Sequence, residues 1–557
     1  MSNRPLLALF LAFAWSACLP AGDPPSGRHL VVGRELSRVF YSPSGDLGGP
    51  SHLLALGLEH PFQGDSSGRP VLDLMKLPTD SPLGAPMDPA GLSIVRRDLV
   101  PASKLPKGEV FPPSDSLGRL LLLQADPGFS QSVWRVDPAT SEAFFIGRLD
   151  WLGDETNIVL SPNRNRVVVG INEFVVTELD GFQIPLGPTD DDPLFLDDDI
   201  YVDRPAGEMD EPGIWRVRPH GMPERIATNA RFSRYSVSRE LSLAWIPSMA
   251  GKRLLLERSD KSSIYQAYSL FDPDSLEETS LTSLTDKASL FSMAPSGRWL
   301  LFKHMPKEPS APITLDVLDM AGPSVLLPLT DATTNRNPEW RPGEDEVWMG
   351  EEEGKITIWN PNQGLRVVAG NSHLVHRGSS IEASSFTQDG RFWFSNDGMP
   401  GTAVRLQSAD QPEDPGILVT PEKSWVDSYW DVSDGRLLFA LATTSPTRAN
   451  AKLIDPVRRT EREFVLHGRI IAVGRTRFLA LVDWEESLAC GVLALIDLAS
   501  GSRTLLAENV TSVAVDGWTA TGTATTDDPL APGTRVAFLS QNRMASPYDG
   551  LWTVELP

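Results

Sequence analysis

The stretch FSMAPSGRWLLFKH, residues 291–304, decides the fold of this chain. An apolar segment stops before Pro295, Gly297 follows, and a second apolar segment starts at Trp299. Proline presets φ for a tight turn, and glycine takes the left-handed conformation that closes it. The stretch therefore predicts two antiparallel strands joined by a tight turn.

The same phrase recurs along the chain. The copies are FYSPSGD (40–46), VLSPNRNRVVVG (159–170), EWRPGEDEVWMG (339–350), SFTQDGRFWFSNDG (385–398) and WDVSDGRLLFALA (430–442). The turn landmarks Pro295, Pro342, Asp389 and Asp434 lie 47, 47 and 45 residues apart. This period is typical of the blades of a β-propeller.

A second phrase follows many of these turns and combines a strand containing Trp or Leu, a turn with Asp, Pro or Gly, and another strand. Its copies are SVWRVDPATSEAFFIG (132–147), GIWRVRPHGMPERIA (213–227), ITIWNPNQGLRVVAG (356–370), LALIDLASGSRTLLAEN (493–509) and GLWTVELP (550–557). Two hairpins per repeat make one four-stranded antiparallel sheet, which is a propeller blade. The sequence therefore predicts an all-β propeller protein.

About eleven repeats fit into the chain, whereas a propeller usually has four to eight blades. We therefore expect two propeller halves, 28–285 and 286–557; one large ring with over-counted repeats is the alternative. The last copy, 550–557, lacks an outer strand, and RHLVVG (28–33) has the missing pattern. We expect residues 28–33 to pair with the C-terminal blade, because closure removes an exposed sheet edge.

The turn phrases SPSGD (42–46), APSGR (294–298), TQDGR (387–391) and VSDGR (432–436) resemble the repeats of the TolB-type propeller, or PD-repeat, family and more loosely those of WD-repeat proteins. The resemblance implies the propeller fold over most of residues 28–557. It does not imply one function, since propellers serve as enzymes and as scaffolds. TolB proteins carry a separate N-terminal domain before the propeller, and this sequence shows no such α/β segment.

The N-terminus, MSNRPLLALFLAFAWSAC (1–18), has the pattern of an export signal. Arg4 precedes an apolar run that is too short to span a bilayer but suits a signal-peptide core. Ser16 and Ala17 stand directly before Cys18, which resembles a bacterial lipobox, although Trp15 occupies the position where Leu is usual. The resemblance implies lipidation of the Cys18 thiol.

Residues 19–27 are rich in Pro and Gly and suit a flexible tether. Because Leu19 rather than Asp follows the cysteine, the lipobox resemblance implies an outer-membrane lipoprotein that faces the periplasm or the cell surface. Ordinary cleavage after Ala14 or Ala21 is the alternative, and it would give a soluble periplasmic or secreted protein.

The charge balance narrows the class of partner. The chain has 50 Lys+Arg against 73 Asp+Glu, a net charge of −23. Nucleic acid is excluded as a partner, because phosphate binding needs concentrated positive charge. For the same reason we expect membrane contact through a lipid anchor only. A protein or a glycan is the expected partner.

Catalytic motifs are weak, and we assign no catalytic residue. GDSSG (64–68) matches the nucleophile elbow G-x-S-x-G, but no helix pattern follows it, which favours a loop. His373 and His376 lack the helix and the Glu of a zincin site, so solvated loop histidines are expected. Cys490 lies in an apolar strand-like run and is predicted to be a buried, inert thiol.

The segment TDDDPLFLDDDIYVD (189–203) is unusually acidic. Its carboxylates are candidate ligands of Ca²⁺, the one cofactor that the sequence leaves open. They are Asp190, Asp191, Asp192, Asp197, Asp198 and Asp199. The spacing does not match an EF-hand loop, and two turn clusters at strand ends are the alternative interpretation.

Seven tryptophans recur at equivalent strand positions. Most are expected to pack between blades, and a few on the rim are candidates for a binding surface. They are Trp134, Trp215, Trp348, Trp359, Trp393, Trp430 and Trp552.

The favoured hypothesis is a non-enzymatic, lipid-anchored propeller that binds a protein or glycan. A propeller hydrolase or lyase with a channel site, with or without Ca²⁺, is the alternative. A quinone-type oxidoreductase is a third hypothesis.

Overall fold

The computed structural model describes residues 28–30, 36–42, 52–57, 60–61, 63, 70–76, 93–99, 115–127, 131–149, 157–161, 163–170, 173–188, 193–196, 198–204, 213–232, 236–237, 241–242, 245–248, 251–259, 266–281, 288–304, 314–320, 326–330, 338–350, 356–369, 373–374, 385–396, 403–420, 425–442, 449–518, 528–541 and 549–557. Within these ranges the regular structure is β-strand, with one short 3-10 turn at Ser433–Gly435. The predicted all-β propeller class is confirmed. Cys18 and the predicted signal peptide lie outside the described residues.

The described strands fall into eleven successive units, called blades 1–11 here. β1 (Arg28–Leu30) comes first. Blade 1 comprises β2 (Leu36–Tyr41), β3 (Leu53–Gly57), β4 (His60–Pro61), β5 (Pro70–Lys76) and β6 (Ser93–Leu99), and blade 2 comprises β7 (Leu120–Ala125), β8 (Gln131–Val136) and β9 (Ala143–Leu149). Blade 3 comprises β10 (Asn157–Leu160), β11 (Val167–Gly170), β12 (Glu173–Thr177) and β13 (Gln183–Pro188), and blade 4 comprises β14 (Leu194–Leu196), β15 (Asp199–Arg204), β16 (Gly213–Val217) and β17 (Glu224–Thr228). Blade 5 comprises β18 (Arg231–Phe232), the separate hairpin β19 (Ser236–Val237) and β20 (Leu241–Ser242), β21 (Trp245–Ser248), β22 (Gly251–Ser259), β23 (Gln266–Phe271) and β24 (Glu278–Ser280).

The remaining strands form blades 6–11. Blade 6 comprises β25 (Ala288–Met293), β26 (Trp299–His304), β27 (Thr314–Asp319) and β28 (Leu326–Thr330). Blade 7 comprises β29 (Glu339–Trp340), β30 (Val347–Gly350), β31 (Ile356–Asn360) and β32 (Gly364–Ala369). Blade 8 comprises β33 (His373–Leu374), β34 (Phe392–Asn396), β35 (Val404–Ser408) and β36 (Ile417–Thr420). Blades 9–11 share one ten-stranded sheet of β37 (Trp425–Asp431), β38 (Leu437–Ala442), β39 (Ala449–Asp455), β40 (Thr460–Val473), β41 (Arg477–Glu485), β42 (Cys490–Asp497), β43 (Arg503–Val515), β44 (Arg535–Ser540), β45 (Gly550–Glu555) and β1. Blade 9 takes β37–β39 and the first part of β40, blade 10 takes the rest of β40, β41, β42 and the first part of β43, and blade 11 takes the rest of β43, β44, β45 and β1.

The hairpin predicted at residues 291–304 is present. β25 and β26 are antiparallel, with Met293 opposite Leu300. In the turn, the Gly297 amide donates to the carbonyl of Ala294 at 2.9 Å, and Gly297 has φ of 73°. Glycine is needed here because a side chain at positive φ costs free energy.

Equivalent turns of neighbouring blades touch each other. The Ser296 hydroxyl donates to Asp345 at 2.7 Å, and the Arg341 guanidinium donates to the Gly390 carbonyl at 2.8 Å. Gly390 has φ of 68°, and a Cβ there would collide with the Pro342 carbonyl oxygen. These contacts place the turns of successive blades side by side.

Among the described residues the hydrophobic core falls into eleven clusters, each joining neighbouring blades. Blades 5 and 6, for example, share Leu255 and Phe302. The first and last blades share a cluster that includes Val39 and Leu539. The described blades thus form one series whose end packs on its start.

Strand β1 pairs with β45, with Arg28 opposite Thr553, and so adds an N-terminal strand to the C-terminal blade. The shared core of blades 5 and 6 spans the position 285/286. The division of the chain into two propeller halves there stays a prediction.

All seven recurrent tryptophans belong to clusters between blades, as predicted. Trp348 and Trp393 are fully buried, and their ring centres lie 5.2 Å apart between blades 7 and 8. Trp134 and Trp215 are only half buried, and an arginine lies over each ring. Tryptophan therefore packs one sheet against the next in this chain.

No helix in the described part of the chain is long and apolar enough to cross a membrane.

Candidate functional site

Three buried arginines join blades 2–5. Arg135, Arg166 and Arg216 are each at most 3% exposed. Arg135 donates to the Leu179 carbonyl of blade 3 at 3.1 Å, and Arg216 donates to the Pro273 carbonyl of blade 5 at 2.7 Å. Arg166 likewise donates to carbonyls at the end of the third strand of blade 4. Each arginine thus holds the turn between the third and fourth strands of the next blade.

Buried carboxylates balance two of these charges. Asp115 Oδ2 lies 3.1 Å from Arg135 Nε, and Glu178 Oε1 lies 2.8 Å from Arg166 Nη2. Burial lowers the pKa of Arg135 to about 10, and Asp115 works against this shift. A buried charge that is paired and hydrogen-bonded fixes the geometry of its surroundings, because losing a partner is costly. The outer turns of blades 3–5 are therefore held rigidly.

Apolar side chains project from these turns into solvent. We define the turn ridge as five residues of blades 2–5 whose exposure ranges from 47% to 74%. They are Phe144, Phe145, Phe182, Met222 and Leu276. Each lies in the turn between the last two strands of its blade or at the start of the last strand. Large exposed apolar side chains at the same position of successive blades are candidates for an interaction surface.

Ring contacts order the ridge. The rings of Phe182 of blade 3 and His220 of blade 4 lie 5.7 Å apart. The Arg119 guanidinium lies 5.8 Å from the ring centre of Phe144. Phe145 packs edge-on against Trp134 at 5.4 Å. The aromatic members are thus positioned by contacts on one side and open to solvent on the other.

Carboxylates dominate the charged groups around the ridge. Five exposed acidic residues lie in or beside the same turns, namely Glu142, Asp180, Glu224, Asp274 and Glu277. The exposed basic groups of these turns include Arg218 and His220. An apolar surface with an acidic rim complements a partner with apolar and basic side chains.

A second group with chemical potential lies in blade 1. Ligand atoms of His60, Asp73 and Asp98 all lie within 4.8 Å of one another, and the three residues are half buried. His60 Nε2 is 3.4 Å from Asp73 Oδ1, and the Asp98 amide donates to the same oxygen at 3.1 Å. Arg97 approaches the other oxygen of Asp73 at 3.7 Å. One imidazole and two carboxylates make a donor set that divalent transition metals accept.

The acidic segment serves partly as a link between blades. Asp190, Asp191, Asp192 and Asp197 lie outside the described residues. The carboxylate of Asp198 accepts from the Asn163 amide, and its carbonyl accepts from Arg166. Burial raises the pKa of Asp199, against the effect of Arg216. Calcium binding by this segment stays a prediction.

The other motifs give no site in the described residues. Residues 64–68 and His376 lie outside them, and His373 pairs with Asn396 in β33 and β34. Cys490 is buried, as predicted.

Sequence reasoning missed the turn ridge and the buried arginines. A signal was present, since the phrases WRVDP (134–138) and WRVRP (215–219) place an arginine at the same repeat position.

Comparison with known proteins shows weak likenesses. No protein-family model and no curated protein matches the chain. Solved structures with similar folds include a putative TolB from Agrobacterium tumefaciens (14% identity, TM-score 0.24, covering 43% of this chain and 87% of that one). Others are a dipeptidyl peptidase 4 from Porphyromonas gingivalis (10%, 0.32, 94% and 68%) and an oligogalacturonate lyase in complex with manganese (13%, 0.26, 58% and 88%). The propeller architecture rests on the strand order itself, and these likenesses carry no argument about function.

Proposed function

We propose that this chain is a non-enzymatic binding propeller of the bacterial cell envelope, which docks a protein partner on the turn ridge. The observation that carries the proposal is the row of exposed apolar side chains on turns that buried arginines hold in place. A preorganised surface loses little conformational entropy on binding. In this proposal, a lipid on Cys18 holds the propeller at the outer membrane.

A protein is favoured over a glycan by the chemistry of the ridge. Leu276 offers no hydrogen-bonding side-chain group for sugar hydroxyls, and the thioether sulfur of Met222 is only a weak acceptor. Aromatic and methionine side chains are enriched in protein interfaces. The acidic rim adds a preference for basic side chains, so the expected partner segment is apolar and basic.

The test uses a photo-cross-linking amino acid at Met222, in the full chain expressed with its own signal in a diderm bacterium. The matched control places the same amino acid at Val457, an exposed apolar residue in the equivalent turn of blade 9. We expect a discrete adduct from position 222 that is absent from position 457 and is lost when Phe182→Ser is added. Equal adducts at both positions, or an adduct that survives Phe182→Ser, would contradict docking on the ridge.

The lipid anchor has a separate test. Intact mass of the exported protein should show an acyl increment that disappears in Cys18→Ser. A chain that begins at Trp15 or Gly22 without an increment would make the protein a secreted propeller and leave the ridge proposal standing.

The second candidate function is a metal-dependent hydrolase or lyase centred on His60, Asp73 and Asp98. The distinguishing measurement is the metal content of the purified protein and its titration with Mn²⁺ and Zn²⁺. One equivalent of metal in the wild type that is lost in His60→Gln would favour this function. A wild-type protein that binds neither ion, and whose melting temperature is unchanged by EDTA, would contradict the metal-dependent function.

A further inference from the structure

The outer strands of several blades are tied to the next blade. An outer strand is a sheet edge, and a free edge invites pairing with another chain. In blades 2, 3, 4, 8 and 9 a side chain of the next blade donates to a carbonyl of the outer strand. The acceptors, each with its donor in parentheses, are Ile146 (Gln183), Leu186 (Arg204), Thr228 (Arg258), Leu418 (Lys452) and Val465 (Arg503).

Other outer strands are protected by proline, by charge or by further pairing. Pro328 interrupts β28 of blade 6, and Glu278 in β24 of blade 5 forms an ion pair with Arg258. Arg503 opens the outer part of β43 in blade 10, and Arg28 lies in β1, the short outer strand of blade 11. In blade 1, β6 pairs onward with β7 of blade 2. Proline and charged side chains on an edge oppose the addition of a foreign strand.

Strand β32 of blade 7, with the sequence GLRVVA, has none of these protections among the described residues. It contains no proline, and it is the last strand of its sheet. Its one charged side chain, Arg366, is turned back to its own blade, where it donates to Glu346 at 3.3 Å. The charge of Arg366 therefore does not guard the edge.

Apolar side chains stand beside this edge. Leu365 and Val367 are 47% and 66% exposed, and residues two apart in a strand point to the same side. A bulge interrupts the pairing with β31 beyond Val367, so the regular part of the edge is Gly364–Val367. Leu327 of β28 is 46% exposed as well, but the next residue there is Pro328.

We propose that β32 is a strand-addition site, at which an extended segment of a partner protein pairs with the outer edge of blade 7. Backbone hydrogen bonds provide the affinity in this mode of recognition, and alternate side chains provide the specificity. The segment lays its apolar side chains over Leu365 and Val367. The site is separate from the turn ridge on blades 2–5, so neither proposal depends on the other.

A second copy of this chain is the less suitable occupant. Each copy carries a net charge of −23, so two copies repel each other. Two β32 edges paired about an axis at Arg366 would place two arginines opposite each other, which is destabilising. So short an edge also buries far less than the about 1,200–2,000 Å² of a stable protein–protein interface. By charge complementarity, the expected segment is neutral or basic.

The test uses the full exported chain and a fluorescein-labelled peptide, Lys-Val-Thr-Val-Thr-Val-Lys, in a fluorescence anisotropy titration. We expect saturable binding, and Val367→Lys or Leu365→Lys should raise the Kd at least tenfold, because a lysine guards the edge. Leu327→Lys is the matched control, because Pro328 already guards β28, and it should leave the Kd unchanged. All three residues are exposed, so the melting temperatures should match that of the wild type.

A peptide of the same sequence with N-methylated valines separates strand addition from simple apolar contact. It keeps the side chains and loses the valine backbone donors, so its Kd should rise at least tenfold. Equal binding of the methylated peptide, an equal loss in Leu327→Lys, or a wild type that does not bind the peptide would overturn the proposal. So would sedimentation that shows a wild-type dimer dissociated by Val367→Lys, because a second copy would then occupy the edge.

Discussion

Blades 2–5 and blades 9–11 fix one sheet against the next by different means. From blade 2 to blade 5 the hydrogen-bonded ladders end between blades, and buried arginines donate to carbonyls of the next blade. From blade 9 to blade 11 the ladder continues across the joints. β40 pairs with β39 of blade 9 and with β41 of blade 10, and β43 pairs with β42 of blade 10 and with β44 of blade 11. The joints of blades 2–5 thus rely on buried arginine side chains, whereas those of blades 9–11 rely on continuous backbone hydrogen bonding.

This difference has a consequence for function. Side-chain ties end at the outer turns, so they stabilise those turns and leave their tips free to carry exposed residues such as Phe182 and Met222. A continuous ladder ties the body of the sheets instead. The region joined by arginines is therefore the better place for a binding surface, and the two regions should respond differently to substitution.

The largest effect is expected from breaking an arginine tie. Arg166→Met leaves Glu178 buried without its partner, which should cost about 3–5 kcal/mol of unfolding free energy. The measurement is urea denaturation followed by tryptophan fluorescence. The double variant Arg166→Met/Glu178→Gln removes the orphaned charge and should recover part of the loss. If the single variant loses less than about 1 kcal/mol, the tie does not hold the blades.

The ladder region should be sensitive to backbone crowding instead. Gly468 lies in β40 just before this strand changes partner, and a Cβ there would collide with the Leu481 carbonyl oxygen. Gly468→Ala should cost about 1–3 kcal/mol, as overpacking does. Gly147→Ala is the matched control, because its nearest neighbour is a Val169 side-chain atom at an ordinary 3.8 Å. Equal loss in both variants would contradict the comparison.

The sequence predicts the parts of this fold that depend on local pattern. The turn at Pro295 and Gly297 and the packing of Trp348 follow from chemistry within one repeat. The tie from Arg216 to Pro273 does not, because the acceptor is a backbone carbonyl whose position depends on how two blades sit together.

The repeat also places one motif in both regions, and acid should affect the two copies alike. Asp272 accepts from the Ser275 amide at 3.0 Å, and Asp497 accepts from the Ser500 amide at 2.6 Å. These hydrogen bonds lower the pKa of both carboxyls. A lowered pKa in the folded state adds stability above the unfolded pKa of about 3.9, and this stability is lost as pH falls through the folded value.

The measurement is the melting temperature between pH 6 and pH 3. Asp272→Ala and Asp497→Ala should each lower it at pH 6 and each weaken its fall on acidification, by a small and similar amount because both carboxyls are largely solvated. A pH response confined to one of the two variants would show that the copies are not equivalent.

The smallest effect on stability, and the sharpest distinction, concerns the ridge. Phe182→Ser and Val457→Ser both replace a side chain that is about half or more exposed, so each should change the unfolding free energy by less than about 0.5 kcal/mol. Only Phe182→Ser should weaken partner capture, because Val457 lies on blade 9, outside the turn ridge of blades 2–5. If both variants weaken capture equally, the binding surface runs around the blades, and the contrast between the two regions concerns stability alone.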